Sequence, residues 1–335
     1  MFDHFLWSVL VCPVLVALAV RHLADRLRPD TAVLFAVGSI GAAAVASLVN
    51  LAAFAVKAVA ELPAVAGRFG FSAAQVRADT ARVPWVSWLS VGLLLGAFAT
   101  MSWVWRTHRR DAAFARQYAT MPADDDRVVL LDDAQAEAFA VPGRPGRIVV
   151  TTGMRAALND SQYAALLAHE RAHLAAGHHR LVQLARLSAA AHPVFWWPAR
   201  RVEYLVERAA DERAATELGD RRVVARAIGT AALVSARSDG GPQPGTIQRG
   251  AGWSGTPSRG GATSRGGAAL RVAPAGRDLR RAGVVPRRVA SLIAPRRAGS
   301  LVLSAVPAAM AASSVAWTGE CVLDLGELLH AAGLF

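Results

Sequence analysis

Four long apolar runs interrupt a chain of otherwise mixed polarity: Phe5–Val20, Thr31–Val56, Trp85–Trp105 and Leu301–Trp317. A helix needs about 20 residues to cross the roughly 30 Å hydrocarbon layer of a bilayer, and each run qualifies or nearly does. The first is short but uncharged, and the second has Asn50 as its strongly polar residue. The third carries tryptophans at both ends, where interfacial anchoring puts them. The fourth is short and alanine-rich. The competing reading is a set of buried core helices in a soluble protein.

Charges flanking the runs orient them. The leading residues, Met1 to His4, lack the positive start of a secretory signal, so the first run reads as an anchor with the N-terminus outside. Arg21, Arg26 and Arg28 then fall inside, as do Arg106, Arg109 and Arg110 after the third run. Arg287, Arg288, Arg296 and Arg297 precede the fourth, again inside, and the tail with Glu320, Asp324 and Glu327 lies outside. All three inner flanks obey the positive-inside bias.

The expected organisation is three spans over residues 1–105, a cytoplasmic domain over 106–236, and a Gly/Ser/Arg-rich insert over 237–270. A basic juxtamembrane segment (271–300), the fourth span (301–318) and a short outer tail (319–335) complete it. The insert cannot bury a core and is expected to be disordered. Within the domain, RVVLL and RIVVTT read as strands, with the acidic stretch DDAQAE, the segment AFAVP and a GRPG turn between them. Helices follow: Asn159–Gln162 resembles a capping box, and helical periodicity resumes from Pro198 to about Leu218.

Composition adds two constraints. Hydrophobic residues make up 53% of the 335, which with the positive mean hydropathy suits a membrane protein carrying a soluble portion. The net charge of +12 is concentrated between Arg237 and Arg297, where twelve arginines face Asp239 and Asp278. The basicity therefore describes a segment, and no direct nucleic-acid partner is expected; membrane lipid is, with headgroup binding by the insert the alternative to a solvated loop. Cys12 and Cys321 give neither a disulfide framework nor a thiolate metal cluster.

Candidate chemistry lies in LLAHERAHLAAGHH, residues 166–179, which holds four of the nine histidines. His169-Glu170-Arg171-Ala172-His173 is an HExxH sequence. Helix residues four apart share a face, so both imidazoles can address one ion while Glu170 reaches a water on it. Downstream, Glu203, Glu207 and Asp211 form a stripe spaced by four. Glu207 fits best as a third ligand of one Zn2+, because Asp211, one turn on, can orient a ligand histidine. Taken alone, the stripe reads better as a solvated acidic face paired with Arg200, Arg201 and Arg208. His179, six residues past His173, is a rival ligand, but the glycine that would turn the chain towards it falls at Gly177, one place late. A helix end, where the macrodipole favours cations, is the other account of His178 and His179.

HExxH followed by a helix with ExxxD is the gluzincin pattern. ALLAHERAHL, then AHPVFWWPARRVEYLVERAADERA, resembles the BlaR/MecR-type membrane metallopeptidases, which share the layout of three spans, a cytoplasmic zinc protease domain and a fourth span. VPRRVASLIAPRR before the last run is similar too. The resemblance implies a membrane α-helical protein with an inserted α+β zincin-like metalloprotease domain and four transmembrane helices. By position it makes His169, His173 and Glu207 ligands, Glu170 the catalytic carboxylate and Asp211 their support. The best-known members add an extracellular penicillin-binding sensor with an SxxK serine. Here some eighteen residues follow the fourth run, and the single lysine, Lys57, has Phe54 three places before it. Direct covalent sensing of a β-lactam is therefore not expected.

The expected activity is a zinc endopeptidase on the cytoplasmic side, with a protein substrate that the resemblance makes a transcriptional repressor. A quality-control or processing peptidase of HtpX or CAAX type, and a nonproteolytic zinc-bearing receptor or scaffold, are the alternatives. His192 and Arg213 are candidate oxyanion donors, and AFAVP is either a free strand edge for an extended substrate or part of a plain hairpin. Trp196 and Trp197 fit either a membrane interface or a core. The sequence leaves the oligomeric state open.

Overall fold

The computed structural model describes residues 2–238, 270–271, 284–294 and 302–334. Most of the expected insert (237–270) and much of the basic segment after it therefore lie outside the described residues. The chain divides into two compact units: residues 1–105, 181–203 and 298–335 form one, and residues 106–180 and 204–297 the other.

The first unit is helical. It contains α1 (Phe2–Phe5), a π-helical stretch (Leu6–Val11), α2 (Cys12–Leu23), α3 (Pro29–Ala60), α4 (Pro63–Phe69), α5 (Ala73–Ala78), the start of α6 (Trp85–Ala119), and α13 (Val302–Ala331). Among the described residues, three helices are long and apolar enough to cross a membrane: Phe2–Arg26, Pro29–Ala60 and Trp85–Ala119. They cover the first three expected runs, and α13 covers the fourth. Leu34 and Val45 on α3, and Leu95, Phe98 and Trp103 on α6, are exposed, as lipid-facing side chains are. Where the helices meet, Phe5 sets its ring edge-on to Phe54 at 5.7 Å, and Leu51, Val86, Cys321 and Leu325 close the cluster.

Several polar side chains inside these helices link neighbouring elements, as burial favours. Asn50 donates from Nδ2 to the Thr318 hydroxyl (3.0 Å), joining α3 to α13, and Ser47 donates to the Ser8 carbonyl (2.6 Å). Lys57 is fully buried at the end of α3, where its Nζ meets Glu61 Oε1 (2.7 Å) and Thr80 Oγ1 (2.6 Å).

The second unit is built on a four-stranded sheet, order β1-β3-β2-β4. β1 (Val128–Leu131) runs parallel to β3 (Arg147–Thr151); β2 (Ala138–Val141) is antiparallel to both β3 and β4 (Leu270–Arg271). Strand alternation sorts the side chains to two faces. Val128, Ala138, Ile148 and Val150 join Leu166 and Leu167, whereas Val129, Phe139, Val141 and Val149 pack with Tyr118.

Helices α7 (Thr152–Ala157), α8 (Asp160–Ala176), α11 (Arg221–Ser238) and α12 (Val284–Ile293) accompany the sheet. Helices α9 (His178–Ala191) and α10 (Trp196–Leu218) begin in one unit and end in the other. Close approach of backbones demands glycine at 153, where a Cβ would lie 2.2 Å from the Ala134 carbonyl oxygen. The expectation of a free edge at AFAVP is corrected: β2 is paired on both sides, through Ala138–Val150 on one and Phe139–Arg271 on the other.

Candidate metal centre

α8 carries the HExxH residues. Its start is fixed by the expected capping box: Asn159 Oδ1 accepts from the Gln162 N–H (2.9 Å), and Gln162 Oε1 accepts from the Asn159 N–H (3.2 Å). Leu166 and Leu167 anchor one side of the helix against the sheet, and Ala165 and Ala168 pack near Ala214 and Ala215 of α10. His169, Glu170 and His173 are consequently turned inward, and all three are buried. The helix ends at Gly177, whose φ of +61° suits a residue without a Cβ.

The two imidazoles converge, with His169 Nε2 3.0 Å from His173 Nε2. Glu207 of α10 comes to the same point, Oε2 3.6 Å from His169 Nε2 and Oε1 3.6 Å from His173 Nε2. Among the described residues, this trio forms the one group whose ligand atoms lie close enough together for an ion, all within 4.8 Å. Zinc bonds of about 2.0–2.1 Å in tetrahedral geometry require donors about 3.3 Å apart. Both the separations and the donor types fit that ion.

Each imidazole has a neighbour at its other ring nitrogen. Asp211 Oδ1 lies 3.0 Å from His169 Nδ1, and His178 Nδ1 lies 3.0 Å from His173 Nδ1. Such contacts fix which ring nitrogen of a histidine faces the ion. Glu170 is fully buried, and neither carboxylate oxygen has a formed hydrogen bond. A buried carboxylate without a formed hydrogen bond is costly for the fold; an ion-held water or a substrate would satisfy it.

Sequence reading missed two participants. His178, expected to mark a helix end, does stand at the α8–α9 junction, but it is also buried against His173. Arg288 of α12 is fully buried. Its Nε and Nη2 donate to Asp211 Oδ2 (2.7 Å) and Oδ1 (2.6 Å), and its Nη1 lies 2.9 Å from Glu207 Oε2. Nothing in a run of paired arginines marks which one turns inward. The available signal is the amphipathic spacing of Val285, Val289 and Leu292 around it.

Charge is partitioned accordingly. Burial raises Glu170 to about 7. Burial likewise drives His173 down to about 3, so that its ring is neutral, as a ligand must be. For His169 burial pulls the same way, but Asp211 and Glu207 outweigh it and lift the ring to about 9. Burial would raise Glu207, yet the Arg288 charge and the two histidines hold it near 2. Asp211 is held well below the carboxylate range, against burial, by the same guanidinium.

Other expected residues go elsewhere. His192 is in the first unit, with Nε2 2.9 Å from the Val9 carbonyl oxygen, and Arg213 is exposed. Neither joins the ligand group. His179 is half-buried and outside it as well, its pKa lowered by burial and by Arg180. The acidic stripe divides: Glu203 pairs with Arg186 at 2.8 Å, and Arg201 pairs with Asp25. Trp196 and Trp197 are partly exposed, each with a guanidinium over its ring, from Arg200 (4.9 Å) and Arg21 (5.5 Å).

No curated protein and no solved structure matches the chain. A family model does: residues 100–197 match Peptidase family M48, a zinc metallopeptidase family. The match takes in the whole of α8 and stops before Glu207, Asp211 and Arg288. From the middle of α6 through HExxH and α9 to the start of α10 the chain is similar to M48 peptidases, which supports a membrane-type metalloprotease.

Proposed function

We propose that the chain is a membrane-anchored zinc endopeptidase in which His169, His173 and Glu207 are the ligands and Glu170 is the catalytic carboxylate. The observation that carries this is the meeting of three ligand side chains, from α8 and α10, beside a buried and unsatisfied Glu170. Zinc, when bound, polarises a peptide carbonyl and brings the pKa of water towards neutrality. Glu170 takes the proton of the attacking water on a carboxylate oxygen and passes it to the leaving amine. Asp211 and His178 orient the two imidazoles. A carboxyl lifted to about 7 is well matched to a base that must later act as an acid near neutral pH.

The finer reading follows the BlaR/MecR-type resemblance: a zincin-like domain, four spans, the N-terminus outside, and the peptidase domain in the cytoplasm cleaving a repressor in signalling. Arginines at the three inner flanks support the orientation, and α13 is long enough for the fourth span. The match to family M48 favours a second reading equally, membrane-protein quality control by an HtpX-like peptidase. Comparing protein termini in cells expressing the wild type or Glu170→Gln tests both. New termini in a soluble regulator support signalling, termini in membrane proteins support quality control, and identical sets in the two strains refute endopeptidase action.

A further inference from the structure

We propose that Arg288 is a positioning residue for the metal centre, pairing with Glu207 and Asp211 together so that the Glu207 carboxylate is held facing the two imidazoles. This rests on the zinc reading above and extends it to a helix remote in sequence from the ligands.

Three observations converge on the guanidinium. It is fully buried, and among the largest side chains in the protein that are. A buried cation is costly unless its partners are charged and well aligned, and here a two-point fork to Asp211 meets that condition. Nη1 makes an ion pair with Glu207 Oε2 (2.9 Å), and the two Glu207 oxygens face His169 Nε2 and His173 Nε2, each at 3.6 Å. One planar cation thus spans a ligand and the residue that orients another ligand.

The geometry has a chemical consequence. Glu207 and Asp211 lie one turn apart on α10, and two carboxylates buried that close repel each other. Arg288 removes the repulsion and sets their spacing in one stroke. Held in this way, the Glu207 carboxylate would be available with the two imidazoles to hold the ion. A lysine could supply the charge but, as a point donor, could not fork to both carboxylates.

α12 is built for this delivery. Val285, Val289 and Leu292 pack into the cluster of Ala214, Val224 and Ile228, fixing the helix rotation that points Arg288 inward. The adjacent Arg287 turns the other way, over the Tyr204 ring at 4.4 Å. Metal retention therefore reports whether α12 is docked.

The test uses the full chain purified in detergent, with the zinc dissociation constant measured by chelator competition and the visible spectrum recorded after Co2+ substitution. Arg287→Gln should match the wild type. Arg288→Gln should bind zinc on the order of 10–100-fold more weakly, as loss of a ligand's support does, and should show an altered Co2+ band pattern. Arg288→Lys should fall between the two. Unchanged zinc affinity and an unchanged Co2+ spectrum in Arg288→Gln overturn the proposal. If that variant does not fold, the same two outcomes are read from Arg288→Lys, with Arg287→Gln as the control. A wild type that takes up no zinc overturns the metal reading and this inference together, whereas equal binding by wild type and variant overturns this inference alone.

Discussion

His169 Nε2 and His173 Nε2 stand 3.0 Å apart on the buried face of α8, aimed at a point that Glu207 also reaches from α10. Two imidazoles held this close without an ion gain little and lose hydration, so the arrangement makes sense as a preformed ligand set. His169→Ala, His173→Ala and Glu207→Gln should each lower zinc content from one ion per chain towards none, as measured by elemental analysis of purified protein. Arg213→Ala, an exposed change, should leave it unaltered.

Metal uptake should release a proton. In the metal-free chain His169 titrates near 9, so it is protonated at pH 7, and it must become neutral to ligate. Zinc affinity should therefore rise with pH, by on the order of tenfold per unit between pH 7 and 9. Calorimetry in buffers of different ionisation enthalpy measures the release. An affinity flat over that range contradicts the raised His169 value.

Stability of the metal-free form should carry the mark of Glu170. Its folded pKa of about 7 lies above its ordinary value of 4.5, so the folded state holds this proton more tightly than the unfolded one. Stability is consequently full below pH 4.5 and is lost as pH rises to 7, by a few kcal/mol in order of magnitude. Metal-free Glu170→Gln lacks that loss. Its advantage over the wild type in thermal unfolding should be greater at pH 8 than at pH 4.

A smaller effect tests the local basis of α8. Asn159→Ala removes the acceptor for the Gln162 N–H and should cost about 1 kcal/mol, the usual worth of such a cap. Thermal unfolding reads the change, and zinc stoichiometry should persist because the ligands lie two turns or more away.

Much of this was legible in the chain because it is written in short-range pattern. HExxH on a helix, the Asn159–Gln162 box, the alternating strands and the apolar runs each depend on spacings of two to four residues or on simple length. The convergence of Glu207 with the histidines was inferable from ExxxD, since a four-residue step keeps both carboxylates on one face. What failed depended on distant contacts. AFAVP looks like an edge strand from within, but Leu270 and Arg271 pair with its outer side. His192 looks available until Val9, from the other end of the chain, accepts its hydrogen bond. Arg288 reads as one more inner-flank arginine, and only packing against α11 determines that it turns inward.

The most direct measurement is peptide-bond cleavage of an unfolded protein substrate by wild type and Glu170→Gln, each purified in detergent and verified to carry equal zinc. The expected result is cleavage by the wild type, abolished by chelation and restored by added zinc, against a rate lower by on the order of 10²–10⁴ in Glu170→Gln. Equal rates in the two proteins, or cleavage indifferent to chelation, would contradict the assignment of this site as a zinc peptidase.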